Sequence, residues 1–69
     1  MQSLSKRVAE RIIYFRKLKK LSQEQLGIES SLHRAYIGQV ERHEKVIGLN
    51  NLERVAAALD VSIVDLVKE

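Results

Sequence analysis

Cysteine and proline are both absent from the sequence, and two tyrosines and one phenylalanine are its only aromatic residues. Without cysteine, the chain can form neither a disulfide nor a thiolate metal site. The sequence also has no G-x-S-x-G motif, no glycine-rich phosphate loop and no cluster of histidines and carboxylates at metal-ligand spacing. We therefore expect no enzyme activity, no metal site and no cofactor.

Long apolar runs are also missing. The first residues, MQSLSKRVAERIIYF, lack the continuous apolar segment of a signal peptide, and no later segment is long enough to span a bilayer. Together with the lack of cysteine, this predicts a cytoplasmic protein without a membrane partner. A length of 69 residues allows one domain, residues 1–69, whose small core would gain stability from a partner surface.

Positive charge is concentrated in the first part of the chain. Residues 1–49 contain ten lysines and arginines against five aspartates and glutamates, whereas residues 50–69 contain two against four. A basic surface suggests a polyanionic partner such as nucleic acid. The alternative is an ordinary solvated surface, because the net charge of +3 is modest.

The apolar residues repeat at helical spacing, and strand signals are poor. Leu4, Val8, Ile12 and Phe15, with Leu18 at the end, form one apolar stripe from about residue 4 to 19. A fourth and a fifth helix are predicted over about residues 49–68. Ser62 is the expected N-cap of the fifth, with Asp65 as its capping-box partner. The sequence thus predicts a compact, all-α domain of five helices.

A helix-turn-helix is predicted over about residues 22–41. Ser22 is a suitable N-cap for its first helix, and Gln25 can complete a capping box. In the following stretch, SLHRAYIGQVER, Ile37 and Val40 lie on one side of a short helix. The opposite side is predicted to be exposed and consists of Arg34, Ala35, Gly38, Gln39 and Arg42.

This exposed side has the side chains that major-groove recognition requires. Arg34 can make a bidentate contact to guanine, Gln39 can pair with adenine, and Ala35 can contact a thymine methyl group. The alternatives are a phosphate contact or a free surface charge for Arg34, and an exposed glutamine without function for Gln39. Gly38 either allows a close approach to DNA or is a tolerated helix-interior glycine.

Several other residues are expected to contact the DNA backbone, which fixes register without determining sequence. Tyr36 is predicted to be half-buried with its hydroxyl on a phosphate. Arg42, His43 and Lys45 follow the third helix and could also bind phosphates. For His43 the alternative is a solvated loop residue, and His33 is expected to cap or pack rather than to bind a ligand.

The acidic end of the chain has more apolar residues than one small core can bury. We expect part of this set to form an exposed patch, and therefore a symmetric homodimer interface. Two recognition helices about 34 Å apart would then bind a palindromic operator of double-stranded DNA. The set consists of Val46, Ile47, Leu49, Ile63, Val64 and Val67.

The segments LSQEQLGIESSLHRAYIGQVER and LNNLERVAAALDVSIVDLV resemble the Xre-type helix-turn-helix family of phage repressors and bacterial regulators. Within it, LHRAYIGQVER is similar to the Leu-x-Arg-Thr-Tyr-Ile-Ser-x-Ile-Glu-Arg pattern of the controller proteins of type II restriction–modification systems. The resemblance implies a lambda-repressor-like fold and a transcription regulator. Phage or prophage repressors and antitoxin-like interaction modules remain alternatives, and contact with RNA polymerase remains open.

The resemblance also implies roles for individual residues. Gln23 would bind a phosphate at the N-terminus of the second helix. Arg16 and Glu41 would form a partly buried ion pair, and Gly27 would stand where the family has alanine so that two helices can cross closely. The family's turn glycine is replaced by Ser31, so the second helix is expected to end without a left-handed cap.

Overall fold

The computed structural model describes residues 3–69, and within that range it has five α-helices and no strand. The all-α, five-helix architecture predicted from the sequence is confirmed. The helices are α1 Leu4–Leu18, α2 Gln23–Ser30, α3 Arg34–Glu41, α4 Leu49–Ala58 and α5 Ile63–Val67.

All five helices contribute to one apolar core. The predicted stripe of α1 is correct at its centre, where Val8 and Ile12 are buried and Phe15 packs against them half-buried. It is wrong at its ends, because Leu4 and Leu18 are exposed. The partner helices are too short to cover α1 over its whole length. The buried residues of the core cluster are Val8, Ile12, Leu26, Ile37, Val40, Leu52, Val55, Ala56, Leu59 and Leu66.

Side-chain caps set where α2, α3 and α5 begin. Ser22 accepts from the backbone N–H of Gln25 while the Gln25 amide oxygen accepts from the Ser22 N–H, which completes the predicted capping box. Ser62 and Asp65 form the second predicted box. The imidazole Nδ1 of His33 accepts from the Ala35 N–H at 3.0 Å, so His33 caps α3 as expected.

Left-handed residues terminate the helices although none of them is glycine. Lys20, Ser31, His43 and Asp60 have φ angles of 60°, 60°, 64° and 58°. The expectation that α2 ends without a left-handed cap is therefore wrong, since Ser31 adopts that conformation. In this conformation the Ser31 N–H donates to the Ile28 carbonyl, and the Leu32 N–H donates to the Gly27 carbonyl at 2.8 Å. Satisfying these carbonyls offsets the strain of a left-handed serine.

The absence of a side chain at Gly27 allows α2 and α3 to cross closely. A Cβ atom at Gly27 would lie 2.6 Å from the carbonyl oxygen of Leu32 and 3.2 Å from the backbone nitrogen of Arg34. Both atoms belong to the backbone, so a larger residue could be accommodated only if the turn moved. Gly27 thus fixes the spacing between the two helices of the motif.

Part of the positive charge of α1 is used inside the molecule rather than on an open basic surface. Arg7 donates to the carbonyl of Val67 and Arg11 to that of Asp65, at 3.2 and 2.9 Å. Lys19 bonds to the Asp60 carboxylate at 2.7 Å. The two arginines thus satisfy carbonyls at the end of α5, where a helix leaves its last carbonyls without partners, and Lys19 pairs with a carboxylate just after α4.

Candidate nucleic-acid interface

Helix α3 has a buried aliphatic edge and an exposed first turn, as predicted, but Gln39 on the predicted exposed side is half-buried. Ile37 and Val40 are buried in the core, whereas Arg34 and Ala35 are exposed at the first turn. The aliphatic edge anchors the helix and so fixes the direction in which the Cα–Cβ bonds of its opposite edge point. An exposed α-helix of this size fits the major groove of B-DNA.

A hydrogen-bonded network joins α1, α2 and α3 behind this surface. Nε and Nη2 of Arg16 donate to the two carboxylate oxygens of Glu41 at 2.7 and 2.9 Å, and Nη1 donates to the Leu21 carbonyl. The amide of Gln23 donates to the same Glu41 carboxylate at 2.9 Å. The carboxylate of Glu41 is therefore turned inward and neutralised, away from any phosphate bound at the surface.

Arg34 projects from the start of α3 and contacts the neighbouring helix. Its Nη1 donates to the Glu24 carboxylate at 2.8 Å, and both side chains are more than half exposed. Sequence reasoning did not identify Glu24, because the two residues are ten positions apart on different helices. The signal that could have found it is the acidic residue in the first turn of α2, which faces the first turn of α3 across the motif.

Gly38 does not lie on the exposed side as predicted; it is buried beneath the side chains of Arg42 and Gln23. A Cβ at this position would lie 2.8 Å from Nη1 of Arg42 and 3.4 Å from Oε1 of Gln23. The helical spacing was interpreted correctly, but the long arginine side chain folds back over the glycine. Gly38 thus contributes space for Arg42.

The Arg42 guanidinium also pairs with Glu44. Nε and Nη2 of Arg42 lie 2.8 and 3.4 Å from the two carboxylate oxygens. This hydrogen-bonded contact raises the pKa of Arg42 and lowers that of Glu44. Both groups are exposed, so the pair is accessible to solvent and a phosphate could replace the carboxylate.

Tyr36 is half-buried as expected, and its hydroxyl accepts hydrogen bonds from the α4 side of the molecule. The Asn51 amide donates to this oxygen at 3.1 Å and the Gly48 N–H at 3.4 Å. Because both contacts use oxygen lone pairs, the hydroxyl proton is available for an acceptor such as a phosphate. Lys45 lies over the same ring, with Nζ 5.9 Å from its centroid.

The other predicted DNA contacts lie at the end of α3. Gln39 is half-buried, and its backbone carbonyl accepts from the N–H groups of Glu44 and Lys45 at 2.8 and 3.2 Å. His43 is exposed and left-handed. These bonds fold the loop back against α3, so the basic residues of the loop lie near its C-terminal end.

The predicted dimer residues divide into two groups. Val46, Leu49 and Val64 are 75, 82 and 61% exposed, and Ile63 is 37% exposed. Ile47 and Val67 instead pack against the core half-buried, so the exposed part of the set consists of the other four residues. The exposed apolar set, defined here as Val46, Leu49, Ile63 and Val64, lies at the starts of α4 and α5.

Residues 3–69 contain neither a metal-binding cluster nor a membrane-spanning helix. Within that part of the chain, no group of three or more His, Cys, Asp or Glu residues is placed to hold a metal ion. Among the described helices, none is long and apolar enough to cross a membrane.

The fold and this surface define a DNA-binding helix-turn-helix domain. Residues 12–66 match the helix-turn-helix family, and the chain belongs to that family. It is 46% identical over 56 residues to the control protein C.SmaI of Serratia marcescens. The match covers 81% of this chain and 67% of that relative. It is 44% identical to the control protein C.BamHI of Bacillus amyloliquefaciens, over 67% of this chain and 57% of that relative.

Solved structures give the same assignment of fold. The restriction–modification controller protein C.AhdI from Aeromonas hydrophila is 37% identical with a TM-score of 0.86, over 90% of this chain and 94% of that one. SinR, a master regulator for biofilm formation solved in complex with DNA, is 32% identical with a TM-score of 0.82, over 86% of this chain and 95% of that one. The predicted resemblance to the controller and repressor family is confirmed.

Proposed function

We propose that this protein is a sequence-specific transcription regulator that binds palindromic DNA as a homodimer, in the manner of restriction–modification controller proteins. The observation that carries the proposal is the division of α3, with Ile37 and Val40 buried and Arg34 and Ala35 exposed. Within the resulting surface, Arg34, Ala35 and Gln39 would contact bases. Tyr36, Arg42, His43 and Lys45 would bind phosphates around them.

Gln23 has a more specific role in this proposal. It stands at the first position of α2, where backbone N–H groups and the helix dipole favour an anion. Its amide nitrogen is held by Glu41, so its orientation is fixed before DNA arrives. The phosphate would bind at the α2 N-terminus, and the Gln23 side chain would limit its position.

Dimerisation is the second part of the proposal. The exposed apolar set of Val46, Leu49, Ile63 and Val64 is better covered by a second copy of the chain than left in water. Two copies would present two α3 helices about one DNA turn apart, which doubles the sequence contacted. RNA polymerase is a further proposed partner of a controller that activates transcription.

Binding to DNA is tested first with a random-sequence duplex. We expect the logarithm of affinity to fall linearly with the logarithm of salt concentration, at about 0.9 per phosphate neutralised. Selection from a random pool should then yield a palindromic consensus. On the selected duplex, Arg34→Ala should lose about 1–3 kcal/mol, with nearly unchanged affinity for random DNA. No affinity at low salt would instead favour an antitoxin-like interaction module.

A phage-type repressor is the second candidate. The immunity repressor of Bacillus phage phi105 is 39% identical over 90% of this chain, although the match covers 43% of that repressor. The two candidates share one fold and one DNA-binding surface, so the neighbouring genes distinguish them. A methyltransferase and an endonuclease gene beside this one would support the controller, and lysogeny genes would support the repressor.

A further inference from the structure

Three arginines, one in α1, one at the start of α3 and one just after α3, pair with glutamates, but they use their guanidinium groups differently. Arg16 and Arg42 each direct Nε and Nη2 at the two oxygens of one carboxylate. Arg34 instead uses Nη1 for a single contact with Glu24. Within the described part of the chain, Nε and Nη2 of Arg34 have no hydrogen-bond partner.

The unpartnered pair of donors on Arg34 has the geometry that guanine recognition requires. An arginine contacts guanine O6 and N7 through two parallel N–H groups of its planar fork. In Arg42 and Arg16 the Nε and Nη2 donors are occupied by protein carboxylates. In Arg34 they are available, while Nη1 is held by Glu24 of α2.

We infer that Glu24 is a positioning residue that orients Arg34 for guanine and thereby helps to determine operator specificity. This inference rests on the proposed function. The contact with Glu24 would persist in the complex and restrict a side chain that otherwise has many rotamers. Fixing that side chain beforehand lowers the entropy cost of binding. The backbone of Glu24 is fixed in turn, because Glu24 lies in the first turn of α2 between Ser22 and Gln25, the two residues of the capping box.

A Glu24 that competes with DNA for Arg34 would have the opposite effect on sequence preference. If Glu24 only competed with DNA for Arg34, the pair would have to break on binding, and removing the carboxylate would strengthen binding to the selected duplex relative to random DNA. If Glu24 positions Arg34, its removal weakens that relative preference. An exposed ion pair changes an equilibrium by at most about fivefold, so the expected effect has that upper limit.

The test uses the full chain with two duplexes of equal length, one selected from a random pool by the wild-type protein and one of random sequence. The measured quantity is the ratio of the two affinities, in which general electrostatic effects of removing one negative charge cancel. We expect Glu24→Ala to lower this ratio about two- to fivefold. Glu24→Gln keeps an acceptor oxygen at the same reach and should restore part of the ratio.

Two controls separate positioning of Arg34 from other effects. Glu29→Ala removes an exposed carboxylate from the same helix that makes no hydrogen bond to Arg34, and it should leave the ratio unchanged. In an Arg34→Ala background, Glu24→Ala should have no further effect on the ratio. The discrimination lost in the single variant should be at the guanine positions of the consensus.

The outcomes decide between the two roles. An unchanged or increased ratio in Glu24→Ala, or an equal effect of Glu24→Ala without Arg34, overturns the inference. Failure of the wild-type protein to bind any duplex, or to select a consensus, overturns the proposed function instead. Thermal unfolding of each variant establishes that the compared proteins are folded.

Discussion

Arg16 and Glu41 form a two-point ion pair that connects α1 to the end of α3, with N–O distances of 2.7 and 2.9 Å. The Glu41 side chain is 4% exposed and that of Arg16 12% exposed. The pair therefore has a structural as well as an electrostatic consequence: it holds the proposed recognition helix and removes a negative charge from its DNA-facing side.

Arg16→Ala should destabilise the protein strongly, because it leaves the Glu41 carboxylate buried without its cation. We expect a loss of about 3 kcal/mol in the free energy of unfolding, measured by urea denaturation. The double variant Arg16→Met/Glu41→Leu removes both charges and should recover most of the loss. A single variant as stable as the wild type would contradict this account of the pair.

Gly27→Ala should destabilise the protein by about 2 kcal/mol, although alanine is the better helix former by about 1 kcal/mol. The added methyl group would overlap the backbone carbonyl of Leu32. Gly38→Ala is the matched control, because its methyl group meets the movable end of Arg42. It should be neutral or slightly stabilising. Equal effects at the two sites in thermal unfolding would contradict the distinction.

Lys20→Gly should stabilise the protein by about 0.5–1 kcal/mol. Lys20 has a φ of 60°, a conformation that costs a residue with a Cβ about 1–2 kcal/mol and glycine nothing comparable. Lys17→Gly, three residues earlier and inside α1, should be destabilising by about 1 kcal/mol. The two substitutions are chemically identical, so the same sign for both in urea denaturation would show that φ at position 20 does not control the effect.

Leu49→Asp and Val64→Asp should shift the protein from dimer to monomer in analytical ultracentrifugation, and weaken binding to a palindromic duplex more than to a half-site. Both residues are largely exposed, so a charge there has little effect on the folded monomer. Leu18→Asp changes an exposed leucine outside the exposed apolar set and should leave assembly unaffected. Wild-type protein that is monomeric at micromolar concentration would contradict the proposed interface.

Asp65→Asn should reduce the loss of stability at acidic pH. Hydrogen bonds from the backbone and side chain of Ser62 lower the pKa of Asp65 in the folded state. The unfolded chain therefore binds the proton more readily, so this contribution is present above the ordinary aspartate pKa of about 3.9 and is lost as pH falls through the folded-state pKa. Between pH 6 and pH 3, the melting temperature should fall less in the variant than in the wild type.

Local signals in the sequence were sufficient for the helices and their starts. Ser22 with Gln25 and Ser62 with Asp65 form capping boxes whose partners are three residues apart, so a short segment contains the whole interaction. The inward edge of α3 followed from the spacing of Ile37 and Val40 for the same reason. Ser31 was misjudged because the cost of a left-handed serine was weighed without the carbonyl bonds that offset it.

The candidate site was less predictable wherever it depends on the path of a long side chain. The periodicity of α3 gives the direction of each Cα–Cβ bond, but it cannot show that Arg42 folds over Gly38 or that Arg34 contacts Glu24. Ile47 and Val67 pack against the core while Val46 and Leu49 are exposed, a division that the sequence did not specify. Hydrophobicity shows that a residue should be buried, but not which surface buries it.

The sequence by itself determined five helices, a helix-turn-helix and the inward edge of α3, because helix periodicity and caps act over three or four residues. Only the tertiary structure decided which guanidinium donors are free. Arg16, Arg34 and Arg42 have identical donors, and what distinguishes them is the position of a carboxylate brought close by the packing of helices or the folding of a loop. For Arg16 and Arg34 that position depends on the packing of helices distant in the sequence, and no local segment contains it.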